Sequence, residues 1–119
     1  MADEFTLTPQ VVRGTTSQQR QSLKDALDVS GYDSADILLF VAALEGTTPS
    51  VTIRIITGMQ NETEEGWVPV SAFSAVTSSG NAQKANFTGF LRYIRWEISA
   101  LTGTGVVAAF TLTGMLRSN

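Results

Sequence analysis

The segment ALEGTTPSVTIRIITGM, residues 43–59, returns as ALTGTGVVAAFTLTGML, residues 100–116. Each copy holds apolar runs around a Gly/Thr-rich centre, the pattern of strands interrupted by a turn. Each predicts a hairpin with one apolar face that it cannot bury alone. Two such hairpins bury both faces by packing face to face or side by side in one sheet. The repeat is therefore first a requirement of the fold.

Other strands fill in around it. DILLFVAAL, residues 36–44, is almost continuously apolar and bounded by turn signals, which predicts a central strand covered on both faces. EGTTPS then supplies the turn, and VTIRII alternates with Val51, Ile53 and Ile55 on one side. In FLRYIRWEISAL, which leads into the second copy, Ile94, Trp96 and Ile98 share one face and Leu91, Tyr93, Arg95 and Glu97 the other. SLKDALDVSGY, residues 22–32, fits both helical spacing and alternation; Asp28, Ser30 and Gly31 favour a strand ending in a turn. WVPVSAF reads as a strand that Pro69 places at an edge or a bulge, and TSSGNAQ reads as a loop. The expectation is an all-β protein, an antiparallel β-sandwich of jelly-roll type with about seven or eight strands.

Residues 1–20 are polar and rich in Thr, Gln and Ser, with a short apolar pair at Val11 and Val12. They predict an extended N-terminal arm, and residues 21–119 a single sandwich domain. A chain of 119 residues buries a real core without metal or disulfide staples.

Composition removes whole classes of chemistry. The chain has neither His nor Cys, so Ser-His-Asp and Cys-His nucleophilic sites and His- or Cys-based zinc sites are excluded. No GxxxxGK[ST] or GxGxxG stretch occurs, and no cofactor is expected. Eight Lys and Arg against eleven Asp and Glu leave a net charge of -3, the wrong balance for neutralising phosphates, so nucleic acid is not an expected partner. Neither a leader peptide nor an apolar run long enough to cross a membrane is legible.

Some residue types still allow activity. Glu62, Glu64, Glu65 and Glu97 could supply a glycosidase pair, but three of them share one polar loop and read as a solvated connection. The same NETEE loop offers oxygen ligands for calcium without the order of a calcium-binding loop. Trp67, Phe73, Tyr93 and Trp96 could form a sugar platform, although Trp96, in phase with two isoleucines, reads as core. Tyr93 and Arg95, of types favoured at interfaces, read as exposed. Phe5, Val11, Val12, Trp67, Tyr93 and Arg95 are the candidate partner-contact residues; no catalytic or metal-binding residue is expected.

LDVSGYDSADILLFVAALEGTTPSVTIRIITGM, followed by GWVPVSAF and LRYIRWEISALTGT, resembles small β-sandwich structural proteins of tailed bacteriophages. The features that carry the resemblance are the SGY turn, the GTTPS segment, the Trp opening the middle strand and the RYIRW strand. The resemblance implies a non-enzymatic virion component of the head decoration or cement type, made in the host cytoplasm and seated on the capsid surface. Its implied partners are the major capsid protein and copies of itself in a homo-oligomer. A carbohydrate-binding or adhesion module and a tail or neck component are the alternatives.

Overall fold

The computed structural model describes residues 2–13 and 19–118; in the first strand only the side chains of residues 4–6 are described. Among the described residues six strands form one antiparallel sheet: β1 (Ala2–Arg13), β2 (Leu27–Asp28), β3 (Ser34–Gly58), β4 (Val68–Ala72), β5 (Asn81–Thr88) and β6 (Tyr93–Arg117). β3 and β6, at 25 residues each, pair with one another along almost their whole length. Each bends once, so the six strands behave as eight shorter runs.

The two Gly/Thr-rich segments do not reverse the chain. Instead they lie opposite each other, and both strands bend there together. Thr47 pairs with Thr104 and Ser50 with Thr102, leaving Thr48 and Pro49 as a bulge where Pro49 has no ladder hydrogen bond to lose. A hairpin would have paired residues 51–57 with residues 39–45; instead both segments take β6 as their partner. Gly46 and Gly103 sit at the bend with φ of 125° and 115°. A Cβ on Gly46 would lie 2.8 Å from the Thr104 carbonyl oxygen, and one on Gly103 would lie 2.9 Å from those of Thr47 and Thr48. Backbone approaches backbone too closely there for a side chain.

The register carries a symmetry that explains the repeat. The copies start at 43 and 100, a displacement of 57. Shifting paired residues by that displacement exchanges one pair for another. Val51 opposite Leu101 becomes Leu44 opposite Ala108, and Ile55 opposite Trp96 becomes Leu39 opposite Leu112. Thr47 opposite Thr104 maps onto itself, so a pseudo-two-fold axis passes through the corner. Even the irregularities obey it, for the bulge that skips Ala42 on β3 has its counterpart at Ser99 on β6.

The bend folds the sheet into two layers. The first contains β1, residues 106–117 of β6, residues 34–45 of β3 and β5; the second contains β2, residues 93–102 of β6, residues 50–58 of β3 and β4. One apolar cluster fills the space between them. Ile37, Leu39, Val41, Phe110 and Leu112 come from the first layer and Val51, Ile53, Ile55, Trp96 and Ile98 from the second. The Trp96 and Phe110 rings meet edge to face at 5.1 Å. This is an all-β, sandwich-like fold built from one curled sheet.

Several expectations change on this frame. Residues 22–32 give a short 3-10 turn at Leu23–Asp25 and the two-residue β2 rather than a full strand, because the polar residues there bond locally: Gln21 donates to the Asp25 carbonyl and Ser30 N–H to the Asp28 carboxylate. The 36–44 segment is a central strand but is covered on one face only; Leu38 and Phe40 point outward. β5 begins within TSSGNAQ, expected as a loop, and runs on through Thr88, since pairing with β3 outweighs its polar composition. Pro69 does sit on an edge strand, at a register shift against Ile55 and Ile56. Residues 2–13 of the expected arm are extended, and they lie along β6 as an edge strand; residues 1 and 14–18 lie outside the described residues.

Candidate functional site

Alternation on β6 puts Ile94, Trp96 and Ile98 into the core, so Arg95 and Glu97 point to the opposite face of the second layer. There the connection between β3 and β4 folds over them. Arg95 is 0% exposed and Glu97 1%. Arg95, expected as a surface contact, is thus inside the molecule. The reason is the Trp67 ring, which stacks on its guanidinium at 4.1 Å.

The ion pairing is nearly complete. Arg95 donates to both carboxylate oxygens of Glu64, at 2.7 and 3.2 Å, and to the Gln21 carbonyl at 2.7 Å. Glu97 accepts from Arg20 Nε at 2.5 Å on one oxygen and from Arg54 on the other. Arg20 also reaches Glu64, which ties the two pairs into one network. Arg95 Nε is the one guanidinium nitrogen of that residue left without a partner. Burying such charges carries a large desolvation cost, and bidentate or doubled charge-assisted hydrogen bonds are what offset it.

Among the described residues, three carboxyls are held below their ordinary values by their partners, Asp28 chiefly by hydrogen bonds from Ser30. The Arg95 hydrogen bonds hold the Glu64 carboxyl below its ordinary value despite some loss of solvent, with Arg20 adding to the effect. Asp36, on the outer face of the first layer, is lowered by hydrogen bonds from Asn86 and Arg117. Burial disfavours the Arg20 charge, but its bonds to Glu97 and Glu64 outweigh that and its pKa rises.

Nothing in this network resembles an acid/base pair poised for proton transfer. Glu97 is paired with two arginines, and Glu64 with Arg95 and Arg20. Among the described residues no three His, Cys, Asp or Glu side chains gather at metal-binding spacing. Nor, among the described residues, is any helix long and apolar enough to cross a membrane.

The other partner-contact candidates scatter. Trp67 is buried; its Nε1 donates to the Thr63 carbonyl and its ring lies across Gly58, so it holds its loop down rather than offering a platform. Tyr93 is half-buried with the Arg92 guanidinium over its ring. Phe5 is half-buried against the core and lies over Gly114. The backbones of Val11 and Val12 pair opposite Ala109 and Ala108, and their side chains lie outside the described residues. Sequence reading missed the surface that stands out, the outer face of the first layer, where Leu38 and Phe40 are 44% and 40% exposed. Its signal was available in the strict alternation of Ile37, Leu39 and Val41 with Leu38 and Phe40, hidden because both phases are apolar.

No protein-family model matches the chain, and no curated protein matches it by sequence. Solved structures do share the fold. PBSX exported protein XepA is 16% identical with a TM-score of 0.64, over 98% of this chain and 37% of that one. A chain from work describing Bacillus endospore appendages as a family of disulfide-linked pili is 16% identical with a TM-score of 0.51, over 100% of this chain and 88% of that one. The SPBc2 prophage-derived protein YomS is 13% identical with a TM-score of 0.47, over 98% of this chain and 94% of that one. With the first two of these, at such identities, what is shared is the all-β fold alone. The chain spans little more than a third of the exported protein's length.

Proposed function

We propose that the chain is a non-enzymatic structural protein of a bacteriophage particle, seated on the capsid exterior and acting through contact area. The observation that carries the non-enzymatic part is where its charges go. The buried ones, Arg95 and Glu97, are consumed in internal pairs, whereas apolar Leu38 and Phe40 face outward on a broad sheet. Such a surface suits docking better than turnover. The phage assignment rests on the sequence resemblance, and the shared fold with an exported protein and an appendage chain supports a structural role outside catalysis. Any assembly of this chain would form without disulfide links between subunits, because it has no cysteine.

The test is co-sedimentation of the purified chain with empty capsid shells of the particle encoded alongside it. Saturable binding at a fixed ratio to the capsid subunit is the expected result, since many modest repeated contacts give high occupancy. A chain that stays in the supernatant at all concentrations, while assembled tails retain it, would move its place from head to tail.

A further inference from the structure

The pseudo-two-fold relates Leu38 to Arg95 and Phe40 to Glu97, since their pairs with Thr113, Ile56, Thr111 and Arg54 exchange under the 57-residue shift. In the second layer these positions lie beneath the Trp67 loop. In the first layer nothing among the described residues lies over them, and the side chains are apolar rather than charged. One strand to either side of Phe40 stand Thr111 and Ala82, and beside Leu38 stand Thr113 and Lys84. Water-facing sides of antiparallel sheets ordinarily carry polar side chains at such sites.

Two further observations indicate what fits there. A hollow of about 640 Å³ opens on this face, lined among others by Glu4, Thr6, Asp36, Leu38, Lys84 and Met115. Its charges are divided by edge: Glu4 lies on β1 at one margin and Lys84 on β5 at the other, with β6 and β3 between them. Neither forms an ion pair among the described residues, whereas Asp36 is tied to Arg117 and Asn86. A two-fold axis running along the strands between β6 and β3 would set β1 of one copy over β5 of another. The acidic margin then meets the basic one twice, and Leu38 and Phe40 on β3 of each copy lie over β6 of the other.

We infer that the outer face of the first layer is a self-association surface on which a second copy of this chain docks face to face about a two-fold axis. Four strands about 4.8 Å apart, over the span of β5 at about 3.4 Å per residue, cover roughly 500 Å² in projection. That lies toward the small end for a specific interface, so the dimer depends on concentration.

The experiment is sedimentation equilibrium of the full chain from about 1 to 500 µM, with circular dichroism to confirm folding. The wild type is expected to shift from monomer to dimer, and Phe40→Lys to remain monomeric with an unchanged spectrum. Met59→Lys, a comparable change at a 60% exposed residue away from this face, is expected to dimerise like the wild type. Glu4→Lys and Lys84→Glu should each weaken the dimer at least tenfold, and the double exchange should restore it. A wild type that stays monomeric throughout, a Phe40→Lys chain that still dimerises, or a double exchange that rescues nothing would each overturn the inference. The inference deepens the structural role proposed above, and the two fail separately. Failure to bind shells with the dimer intact rejects the capsid site alone, and shell binding by a chain that never dimerises rejects this inference alone.

Discussion

Leu38 and Arg95 occupy equivalent places in the two layers, yet one is an aliphatic side chain half open to water and the other a guanidinium sealed from it. The same contrast separates Phe40 from Glu97. The backbone of the two central strands is nearly symmetric, down to the bulges at Ala42 and Ser99. What differs is the connection leaving each strand. β3 leaves the second layer through residues 59–67, which fold back and place Glu64 and Trp67 on Arg95. The comparison teaches that the repeat specifies the sheet, and the connections decide what each outer face becomes.

The comparison breaks most severely at Glu97. Replacing it with Ala removes the common acceptor of Arg20 and Arg54 from a site that is 1% exposed. The expected loss is about 3 kcal/mol, the lower end for breaking a buried pair because both arginines retain some access to solvent. Phe40→Ala at the equivalent position should cost about 1 kcal/mol or less, since much of that ring is already wet. Urea unfolding of the two variants side by side checks the contrast. Equal losses would mean that the equivalence in register carries no difference in burial energy.

Next in size is the corner that the layers share. Gly103→Ala forces a left-handed backbone on a residue with a Cβ and drives that carbon against the carbonyls of Thr47 and Thr48. About 2 kcal/mol of stability should be lost, consistent with the cost of such strain. The same substitution at Gly66, also at positive φ but with open space around it, should cost less. Thermal unfolding of the pair separates steric contact from backbone strain.

How much of this was legible in the residues depends on whether the information was local. Strand-forming alternation at Val51, Ile53 and Ile55, the core position of Trp96 and the edge placement of Pro69 were all readable, because each follows from neighbours in sequence. The corner was not. A Gly/Thr-rich segment is compatible with a reversal or with a bend, and only pairing with a segment 57 residues away decides between them. Arg95 was misread for the same reason. Its place on the outward face was correct, but the loop that covers that face comes from Glu64 and Trp67, whose arrival depends on tertiary structure. The Leu38 and Phe40 surface stayed hidden because an uninterrupted apolar run looks like burial on both sides.

A smaller effect sharpens the role of the covering loop. Trp67→Leu keeps an apolar side chain over Gly58 but loses the ring above Arg95 and the hydrogen bond to the Thr63 carbonyl. The expected cost is at most about 2 kcal/mol, the value for a desolvated cation–π contact. Hydrogen exchange should show the amides of residues 59–67 losing protection while those of β5, in the other layer, keep theirs. Uniform loss across both layers would mean that the loop is part of the global unit and not a cover laid upon it.

Acid gives the gentlest probe, because each layer carries a depressed carboxyl hydrogen-bonded to an arginine on its outer face. Glu64 is held down by Arg95, and Asp36 by Asn86 and Arg117. A carboxyl whose folded pKa lies below its unfolded value stabilises the fold above the unfolded value and loses that contribution as pH falls through the folded one. The window therefore opens near 4.5 for Glu64 and near 3.8 for Asp36 and extends downward in each case. Glu64 is 57% exposed and Asp36 lies on the surface, so solvent screening keeps both effects small. Their consequences nevertheless differ. Protonating Glu64 weakens the bond holding the 59–67 loop over Arg95, and tryptophan emission should change below about pH 4.5, less so in a Trp67→Leu background. Protonating Asp36 frees Arg117 without uncovering any buried charge and should leave emission unchanged. An emission transition that persists in the Trp67→Leu protein and is abolished by Asp36→Asn would reverse the assignment of which layer is held closed by a salt bridge.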